Sequence, residues 1–517
     1  MDSPISIPQT VASLRAGDLA TIAVYFVLTA IFAVYWGRRN KDTEAYFLGG
    51  RSVPGWAVGL SLIGTSISSV SFLALPAAAF ALDWRLMVPN YMTLVGGLVA
   101  LLVFVPLYRA MSYTTAYEFL EARVGRFGRL YCAVIVIFLQ LLRIGAVLYL
   151  VSVPVSLLLG VPIEWVIFLG GLFIMLYTVF GGIEVVIWTD VVQTIVLWGG
   201  AAIMFVFIVV ELPEGMTQGF ARAWEEGKFS HGELDWDMTR RTLWTMVIVG
   251  AFEAVGNNAS NQTVVQRIIA AGSTKEARKA VWISMVLSIP TWVFFYLVGT
   301  SLWVLYTSLP DQTLAQMTPE EIVPYFTLNY LPVGLTGLII AAIMAAAMSS
   351  LDSSINAIST IGTTDIVRRY LAKDRDEKVY LRWAKSLSAV AGLLMIGLAF
   401  LIYGLPRESI VDLLRSAGSV LGGVVAGIFL LAIFTKRVGA RAILTALPFA
   451  LAFNLYCVLG YSGVVPEAWR VPVHVYWVSF LTNVILIVLA LLFSLRWPRQ
   501  PETPSGPTVK AGVNSAA

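Results

Sequence analysis

Residues 61–71 read Ser-Leu-Ile-Gly-Thr-Ser-Ile-Ser-Ser-Val-Ser, and Pro76 follows within the same apolar stretch, residues 54–81. Glycine and serine are poor helix formers, because glycine leaves the backbone free and serine offers it competing hydrogen bonds. In a membrane, non-helical backbone is tolerated only where protein buries it or where it lines a wet cavity. The stretch therefore predicts a membrane helix that is broken near its middle.

A second apolar stretch carries a similar interruption. Residues 250–262 read Gly-Ala-Phe-Glu-Ala-Val-Gly-Asn-Asn-Ala-Ser-Asn-Gln and overlap the predicted span 242–260. Two interrupted helices five spans apart are typical of an inverted repeat of five plus five helices, whose freed carbonyls and half-helix ends bind ions and substrate at the midplane. Small residues that let helices pack closely are the alternative explanation. That alternative explains the pair less well than it explains either stretch alone.

The composition requires lipid as the solvent for much of the chain. Of 517 residues, 58% are hydrophobic and 13% are charged, and the mean hydropathy is +0.80. A hydrocarbon core about 30 Å thick needs roughly 20 apolar residues in helical form. The sequence therefore predicts an all-α, polytopic membrane protein. It has thirteen candidate spans, near residues 19–37, 54–81, 89–108, 130–158, 163–181, 186–210, 242–260, 278–307, 334–363, 384–403, 410–434, 441–461 and 473–495.

The charged residues predict the topology. The formal charge is +4, and the charges lie in short clusters between apolar runs, so they do not indicate a nucleic-acid surface. If the N-terminus is outside, the inner segments hold about three Lys or Arg for each one in the outer segments, as the positive-inside rule requires. The C-terminus is then cytoplasmic. The predicted organisation is an external N-terminus at 1–18, a first span and inner loop at 19–53, a first half-repeat at 54–210, an external loop at 211–241, a second half-repeat at 242–434, two peripheral spans at 435–496 and a disordered tail at 497–517.

The ninth predicted span carries a row of small and hydroxyl side chains. Ala346, Ser349, Ser350 and Ser353 are spaced i, i+3, i+4 and i+7, so they share one helical face. Sodium is a hard cation that prefers oxygen ligands, and two adjacent hydroxyls with carbonyls from an unwound neighbour can supply them. The alternative is that the serines bond back to carbonyls of their own helix. Asp352 weakens that alternative, because a carboxylate within a span is costly and usually functional.

Five motifs occur in order along the chain. They are YFLGGR at 46–51 with Pro54 and Trp56, YTVFGG at 177–182, WTDVVQ at 188–193, NQTVVQR at 261–267, and the serine pair at 349–350. With these motifs the chain resembles the sodium/solute symporter family over roughly residues 18–495. That family includes sodium-coupled glucose, proline, sialic acid and monocarboxylate transporters. The resemblance implies a LeuT-type core formed by spans two to eleven, with broken second and seventh spans.

The resemblance also implies the ligands of a coupling sodium ion. The family's conserved sodium site maps onto three carbonyls and two hydroxyls. The carbonyls are those of Gly64, Ile67 and Ala346, and the hydroxyls are those of Ser349 and Ser350.

Sialic acid transporters of the family carry a second sodium site, which the resemblance implies here as well. It would comprise Ser66, Ser68, Asp190, Ser349, Asp352 and Ser353. The equivalent of Asp190 in relatives assists sodium on its inner path. The sequence departs from those relatives at Asp352, where a hydroxyl is expected. The Asp352 carboxylate can strengthen a second sodium site, carry a proton or pair with Arg143, so the stoichiometry stays open.

Arg143 lies midway along the fourth predicted span. A guanidinium stays charged and grips carboxylates bidentately, and at bilayer depth it needs an anion. The corresponding arginine in similar sialic acid transporters holds the substrate carboxylate; a permanent pair with Asp190 or Asp352 is the alternative. Glu253 either caps the break of the seventh span or meets substrate. Further candidates for the substrate site are polar residues near the interrupted helices, Ser68, Ser71, Asn90 and Asn257.

The function predicted from these residues is sodium-coupled import of a small polar solute by alternating access. An acidic sugar such as sialic acid, or another small carboxylate, is the expected substrate. A sodium-coupled neutral-sugar transporter and a proton-coupled symporter are the alternatives. An enzyme is not expected, because the two histidines belong to no metal-ligand or nucleophile–base motif. The expected partners are the solute, sodium and the lipid bilayer of a bacterial inner membrane, with no cofactor beyond sodium, no nucleic acid and no obligate protein partner.

Overall fold

The computed structural model describes residues 15–38, 42–111, 113–405 and 422–497. These residues form helices, turns and one isolated bridge between Val53 and Ala271, without a sheet. The helices are α1 (Ala16–Gly37), α2 (Thr43–Leu48), α3 (Gly55–Ser66), α4 (Ser69–Ala81), α5 (Arg85–Arg109), α6 (Ala116–Val124), α7 (Arg126–Leu159), α8 (Ile163–Val210), α9 (Gly215–Glu225), α10 (Leu243–Ser260), α11 (Gln262–Ala270), α12 (Thr274–Ser308), α13 (Ile322–Tyr330), α14 (Leu335–Leu371), α15 (Glu377–Tyr403), α16 (Val425–Phe434), α17 (Ala440–Tyr461) and α18 (Val475–Arg496).

The first predicted break lies between α3 and α4, whose axes meet at 57°. The backbone is extended at Ile67 and Ser68, where the serines and Gly64 favour departure from the helix. The Ser68 hydroxyl then caps α4 by accepting a hydrogen bond from the backbone N–H of Ser71 at 3.3 Å. The prediction of a broken second span is confirmed.

The second break lies at Asn261, between α10 and α11. Asn261 is extended, and its side chain accepts a hydrogen bond from the N–H of Thr263 at 3.1 Å. The helix is regular through Gly250 and Gly256, so the break occupies only the end of the predicted interruption, 250–262. The Tyr117 hydroxyl donates to the freed carbonyl of Ser260 at 3.2 Å, which keeps the broken end from leaving an unpaired acceptor.

The fifth and sixth predicted spans are joined without a loop. Together they form the 48-residue segment α8, whose two helical parts meet at a non-helical residue, Gly182. The helix kinks at Gly182, where φ is +60°. A Cβ at Gly182 would lie 2.6 Å from the Tyr46 carbonyl oxygen, so only glycine satisfies both the backbone angle and the close approach.

Nine helices of the described part are long and apolar enough to cross a membrane, and the bent α3–α4 pair makes a tenth. The predicted number of thirteen counts α8 twice and includes spans at 242–260 and 410–434. Residues 410–421 of the latter lie outside the described residues, so thirteen stays a prediction. The same holds for the domain boundaries, for the external N-terminus before residue 15 and for the disordered tail after residue 497.

Helix α14 lies at the centre of the molecule. Within its apolar window 94% of the residues are buried, against 17% for α1. A helix that is buried on every side is packed by protein all round, and α14 contacts α1, α3, α7, α8 and α15. The serine row predicted from the sequence is therefore enclosed by other helices and does not face lipid.

Candidate functional site

The broken helix α3 and the central helix α14 meet through two serine hydroxyls. The Ser349 hydroxyl lies 2.8 Å from the Gly64 carbonyl oxygen, to which it donates, and the Ser350 hydroxyl lies 3.3 Å from the Thr65 carbonyl oxygen. Both serines are buried. The Ala346 carbonyl lies 3.3 Å from the Ser349 hydroxyl, so oxygen atoms from both helices are gathered within hydrogen-bond distance of one another.

These carbonyls are available because α3 ends there. The last four carbonyls of a helix have no partner within it, and α3 ends at Ser66. The C-terminal end of a helix also carries a partial negative charge of roughly half an electron, which favours a cation. Ile67 is buried in the extended linker that follows. An oxygen-only donor set of this kind suits a hard cation such as sodium.

Gly64 has a packing role at this point. A Cβ on Gly64 would lie 2.4 Å from the Thr194 hydroxyl oxygen and 3.4 Å from the Asp190 carbonyl oxygen, both on α8. A side chain would push α3 away from α8. Glycine therefore lets the broken helix approach α8 while its carbonyl faces α14.

A buried ion pair lies beside the serines, and it was not predicted. Arg267 Nη2 is 2.8 Å from Asp190 Oδ2, and both side chains are almost completely buried. Arg267 also donates to the Ser61 hydroxyl at 2.7 Å and to the Ser353 hydroxyl at 2.5 Å. The signal available in the sequence was the position of Arg267 at the end of the 261–267 motif.

Asp352 has no cationic partner among the described residues. Its carboxylate accepts hydrogen bonds from the Tyr177 hydroxyl at 2.7 Å and the Ser353 hydroxyl at 3.2 Å. The alternative that Arg143 pairs permanently with Asp190 or Asp352 is wrong, because Asp190 pairs with Arg267 and Asp352 is held by hydroxyls. Arg143 itself is half-buried on α7 and forms no ion pair or hydrogen bond within the described part of the chain.

The second predicted cation set is only partly assembled. Asp190, Asp352, Ser349 and Ser353 lie together, since Ser353 hydrogen-bonds Asp352 and the Ser349 carbonyl at 2.6 Å. Ser66 and Ser68 do not join them. The Ser66 hydroxyl donates back to the Ile63 carbonyl at 2.7 Å, and Ser68 caps α4, because the break turns both side chains to local backbone partners. Two other hydroxyls of α3 take their place by donating to Asp190, Ser61 at 2.5 Å and Thr65 at 3.3 Å.

A cavity of about 570 Å³ lies between α5, α7, α10 and α16. Asn90 and Asn257, two of the predicted substrate residues, line it, together with Gln140 and Glu253. Its other polar lining residues are Thr93, Ser260, Asn261 and Ser479. The remaining predicted substrate residues, Ser68, Ser71 and Arg143, are not among its described lining residues. The structure therefore brings together two of the five.

The first two motifs meet at the kink of α8. The Tyr46 hydroxyl donates to the Val179 carbonyl at 3.1 Å, and Tyr46 packs against Gly182. Gln266 of the fourth motif donates to the Phe47 carbonyl and to the Asn356 side chain, each at 2.7 Å. These motifs therefore join α2, α8, α11 and α14 behind the cation site.

Comparison with known proteins identifies the family of the chain. The model of the sodium:solute symporter family matches residues 46–447. The chain is 33% identical over 444 residues to the sodium/sialic acid symporter NanT of Aliivibrio fischeri, covering 85% of this chain and 88% of that one. It is 32% identical over 424 residues to the sodium/sialic acid symporter SiaT of Proteus mirabilis, covering 82% and 86%.

A solved structure has nearly the same fold. It is the substrate-bound, outward-open state of a Na⁺-coupled sialic acid symporter with a novel Na⁺ site. The two structures superpose with a TM-score of 0.87 at 28% sequence identity, and the superposition covers 94% of this chain and 100% of the other. The fold is therefore the LeuT-type transporter fold that the family resemblance implied. On the extent of the family match and the identity to its members, the chain belongs to the sodium:solute symporter family.

Proposed function

We propose that this protein imports sialic acid together with sodium across the inner membrane of a bacterium, with its N-terminus outside and its C-terminus in the cytoplasm. The observation that carries the proposal is the group of oxygen atoms contributed by the end of α3 and by Ser349 and Ser350 of α14. Sodium would be held by the carbonyls of Gly64, Ile67 and Ala346 and by the two hydroxyls.

The coupling follows from where these ligands lie. The sodium ligands belong to two helices, and one of them is broken beside the substrate region. An ion that holds α3 against α14 also fixes the start of α4, so ion and substrate favour the same state and each raises the affinity for the other. One sodium moving inward through 100 mV contributes about 2.3 kcal/mol, enough for accumulation of the solute by tens-fold.

Arg143 is the proposed partner of the substrate carboxylate. It is a half-buried cation at membrane depth without an anionic partner among the described residues, and such a charge is costly unless an anion meets it. Ser68 and Ser71 lie at the N-terminal end of α4, whose partial positive charge also favours an anion. The relatives with 33% and 32% identity carry sialic acid in their names, which supports a carboxylated sugar as substrate.

A second cation is proposed at Asp190 and Asp352. These two buried carboxylates have only Arg267 as a nearby cation among the described residues, so one negative charge is left without compensation when both are ionised. Asp190 Oδ1 also has no hydrogen-bond partner among the described residues. Burying an uncompensated charge is expensive, so a sodium ion is expected here, held also by Ser349 and Ser353. A proton on Asp352 is the second candidate, because this carboxylate has only hydroxyl partners.

A counterflow assay tests the proposed substrate. Proteoliposomes loaded with unlabelled sialic acid, glucose, galactose, proline, pyruvate or lactate are diluted into labelled sialic acid with sodium on both sides. We expect internal sialic acid to give strong exchange and the neutral sugars to give none. Exchange driven by a neutral sugar, with none driven by sialic acid, would contradict the proposal and favour a neutral-sugar transporter.

A further inference from the structure

Glu253 lies in the interior of α10 and lines the 570 Å³ cavity. The break that follows α10 is at Asn261, eight residues further on, which is more than two helical turns. The broken end is satisfied by other groups, including Tyr117 and the side chain of Asn261 itself. Capping of the break therefore does not account for this carboxylate.

The Glu253 carboxylate has no partner within the described residues. It forms no hydrogen bond or ion pair there, and the residue is exposed although it lies in a predicted membrane span. Ionisable side chains at this depth face a wet cavity or the bundle interior and mark substrate or ion paths. Its place in the cavity wall fits that rule.

The surroundings of Glu253 are polar but hold no positive charge. Asn257 lies one turn away on the same face of α10, and Asn90 and Gln140 approach from α5 and α7. None of the described lining residues is Lys, Arg or His. An ionised carboxylate has only acceptor oxygens, so a solute in this cavity must supply hydrogen-bond donors to it.

Arg143 is not among the described residues that line the cavity, but it lies on α7 close to two residues that do. It lies three residues after Gln140 and seven after Val136, both of which line the cavity, and residues at these spacings share one helical face. A carboxylated solute can therefore place its carboxylate at Arg143 and its opposite end at α10. Like charges repel, so the carboxylate would lie away from Glu253.

We propose that Glu253 is a specificity-determining residue, which accepts hydrogen bonds from hydroxyl groups of a sugar acid at the end remote from its carboxylate. This inference rests on the proposed function and narrows it, because it separates polyhydroxylated acids from aliphatic monocarboxylates. A solute without hydroxyls would leave the Glu253 carboxylate dehydrated and unpaired, which a site built for hydrogen bonds penalises strongly.

The test measures a ratio of affinities. Purified protein in nanodiscs with saturating sodium is titrated with sialic acid and with an analogue whose glycerol-chain hydroxyls are replaced by hydrogen. We expect the wild type to bind the analogue about tenfold or more weakly. Glu253→Gln, which keeps the shape but loses the charge, should bring the two affinities to within about threefold. Glu225→Gln, an exposed acid on α9 outside the cavity, should keep the wild-type ratio.

Three outcomes would overturn the inference. Equal affinity of the wild type for both compounds overturns the inference. This outcome needs no variant, so the inference stays testable even if Glu253→Gln folds poorly. An unchanged ratio in a folded Glu253→Gln protein also overturns it, and leaves the proposed function standing if binding still requires sodium. Failure of the wild type to bind sialic acid in sodium overturns the proposed function, and this inference with it.

Discussion

Ser350 and Ser354 lie one helical turn apart on α14, yet only Ser350 reaches another helix. The Ser350 hydroxyl contacts the Thr65 carbonyl of α3, whereas the Ser354 hydroxyl donates back to the Ser350 carbonyl at 2.9 Å. Of the two explanations considered for serines in this span, local back-bonding occurs at Ser354, whereas Ser350 faces α3 and its role as a cation ligand stays a prediction. The presence of a hydroxyl does not distinguish a cation ligand from a back-bonded serine. What distinguishes them is whether the residue lies on the face of α14 that meets the broken helix α3.

Ser350→Ala is expected to lower sodium affinity by about tenfold or more, because it removes one of the oxygen atoms proposed to coordinate the ion. Folding should be nearly unaffected, since the hydroxyl makes only one long hydrogen bond. The measurement is the sodium concentration that gives half-maximal uptake. Ser354→Ala is the matched control and should leave that concentration unchanged; an unchanged value in Ser350→Ala would remove Ser350 from the site.

Arg143→Ala should abolish uptake of a carboxylated sugar, because none of the described residues that line the cavity is a cation that could replace it. Stabilisation of the protein by sodium alone should persist, as measured by thermal unfolding with and without the ion. Arg143→Lys keeps the charge but loses the bidentate geometry, so partial uptake is expected. Wild-type uptake by Arg143→Ala would rule out the proposed carboxylate contact.

Asp190→Asn should destabilise the protein, since it leaves the buried guanidinium of Arg267 without its anion. Breaking a buried ion pair by removing one partner costs about 3–5 kcal/mol. The midpoint of thermal unfolding should therefore fall by several degrees. Arg240→Ala removes an exposed cation of the loop that precedes α10 and should change the midpoint little. Equal midpoints for Asp190→Asn and the wild type would contradict a stabilising role for the pair.

At the scale of single residues, the sequence identified the polar side chains but not all of their partners. Asp352 was singled out because a carboxylate in a span is costly, and Asp190 because the family resemblance implied a role in sodium transport. The pairing of Asp190 with Arg267 could not be predicted, because Arg267 lies on α11 and comes beside Asp190 only through the break at Asn261. The spacing of residues in the sequence does not show that the break at Asn261 brings α11 beside Asp190.

Among the elements, the contact between α3 and α8 depends on Gly64. Gly64→Ala places a Cβ where the Thr194 hydroxyl lies, so α3 must shift and its carbonyls must leave the serines. We expect sodium-dependent uptake to be largely lost. Gly199→Ala, where the new Cβ meets nothing within 4 Å, is the matched control on α8.

A second substitution, at Thr194, tests whether the clash with its hydroxyl causes the loss of uptake in Gly64→Ala. Removing the obstructing hydroxyl in the double variant Gly64→Ala/Thr194→Ala should restore part of the uptake. The quantity compared is the initial rate of uptake at saturating sodium in the single and double variants. Full activity of Gly64→Ala alone would show that α3 does not need this close approach.

The positions of the breaks were predictable to different degrees. The first was placed correctly, since glycine and serine are concentrated within a few residues there. The second was placed over 250–262, but the helix tolerates Gly250 and Gly256, which pack against Pro89 and Ala426. The fifth and sixth spans were predicted to end and begin close to the break at Gly182, but the absence of a loop there was not predicted, because two glycines between apolar runs are equally typical of a short loop.

For the molecule as a whole, the charge balance around α14 bears on the number of ions that accompany each solute. When both carboxylates are ionised, Asp190, Asp352 and Arg267 together carry one negative charge in a buried position. If a cation binds there in each cycle, Asp352→Asn should lower the charge carried across the membrane with each solute by about one elementary charge. Reversal potentials of substrate-coupled currents measure this ratio, with the wild type in parallel. An unchanged ratio would contradict the second cation.

The overall architecture was more predictable than the site. Broken spans, the buried serine row and five ordered motifs indicate the fold and the family, because they reflect constraints that lipid places on every backbone carbonyl. The cavity wall is formed by α5, α7, α10 and α16, which are distant in sequence. Only the fold brings Asn90, Gln140, Glu253 and Asn257 to one place.

Ion replacement tests the central claim, that oxygens of α3 and α14 bind a sodium ion that drives uptake. Proteoliposomes take up labelled sialic acid under a fixed membrane potential and equal pH, with external sodium replaced step by step by choline. We predict that uptake collapses as sodium is removed and that a pH gradient does not restore it. Uptake that continues at the same rate in choline would contradict the account.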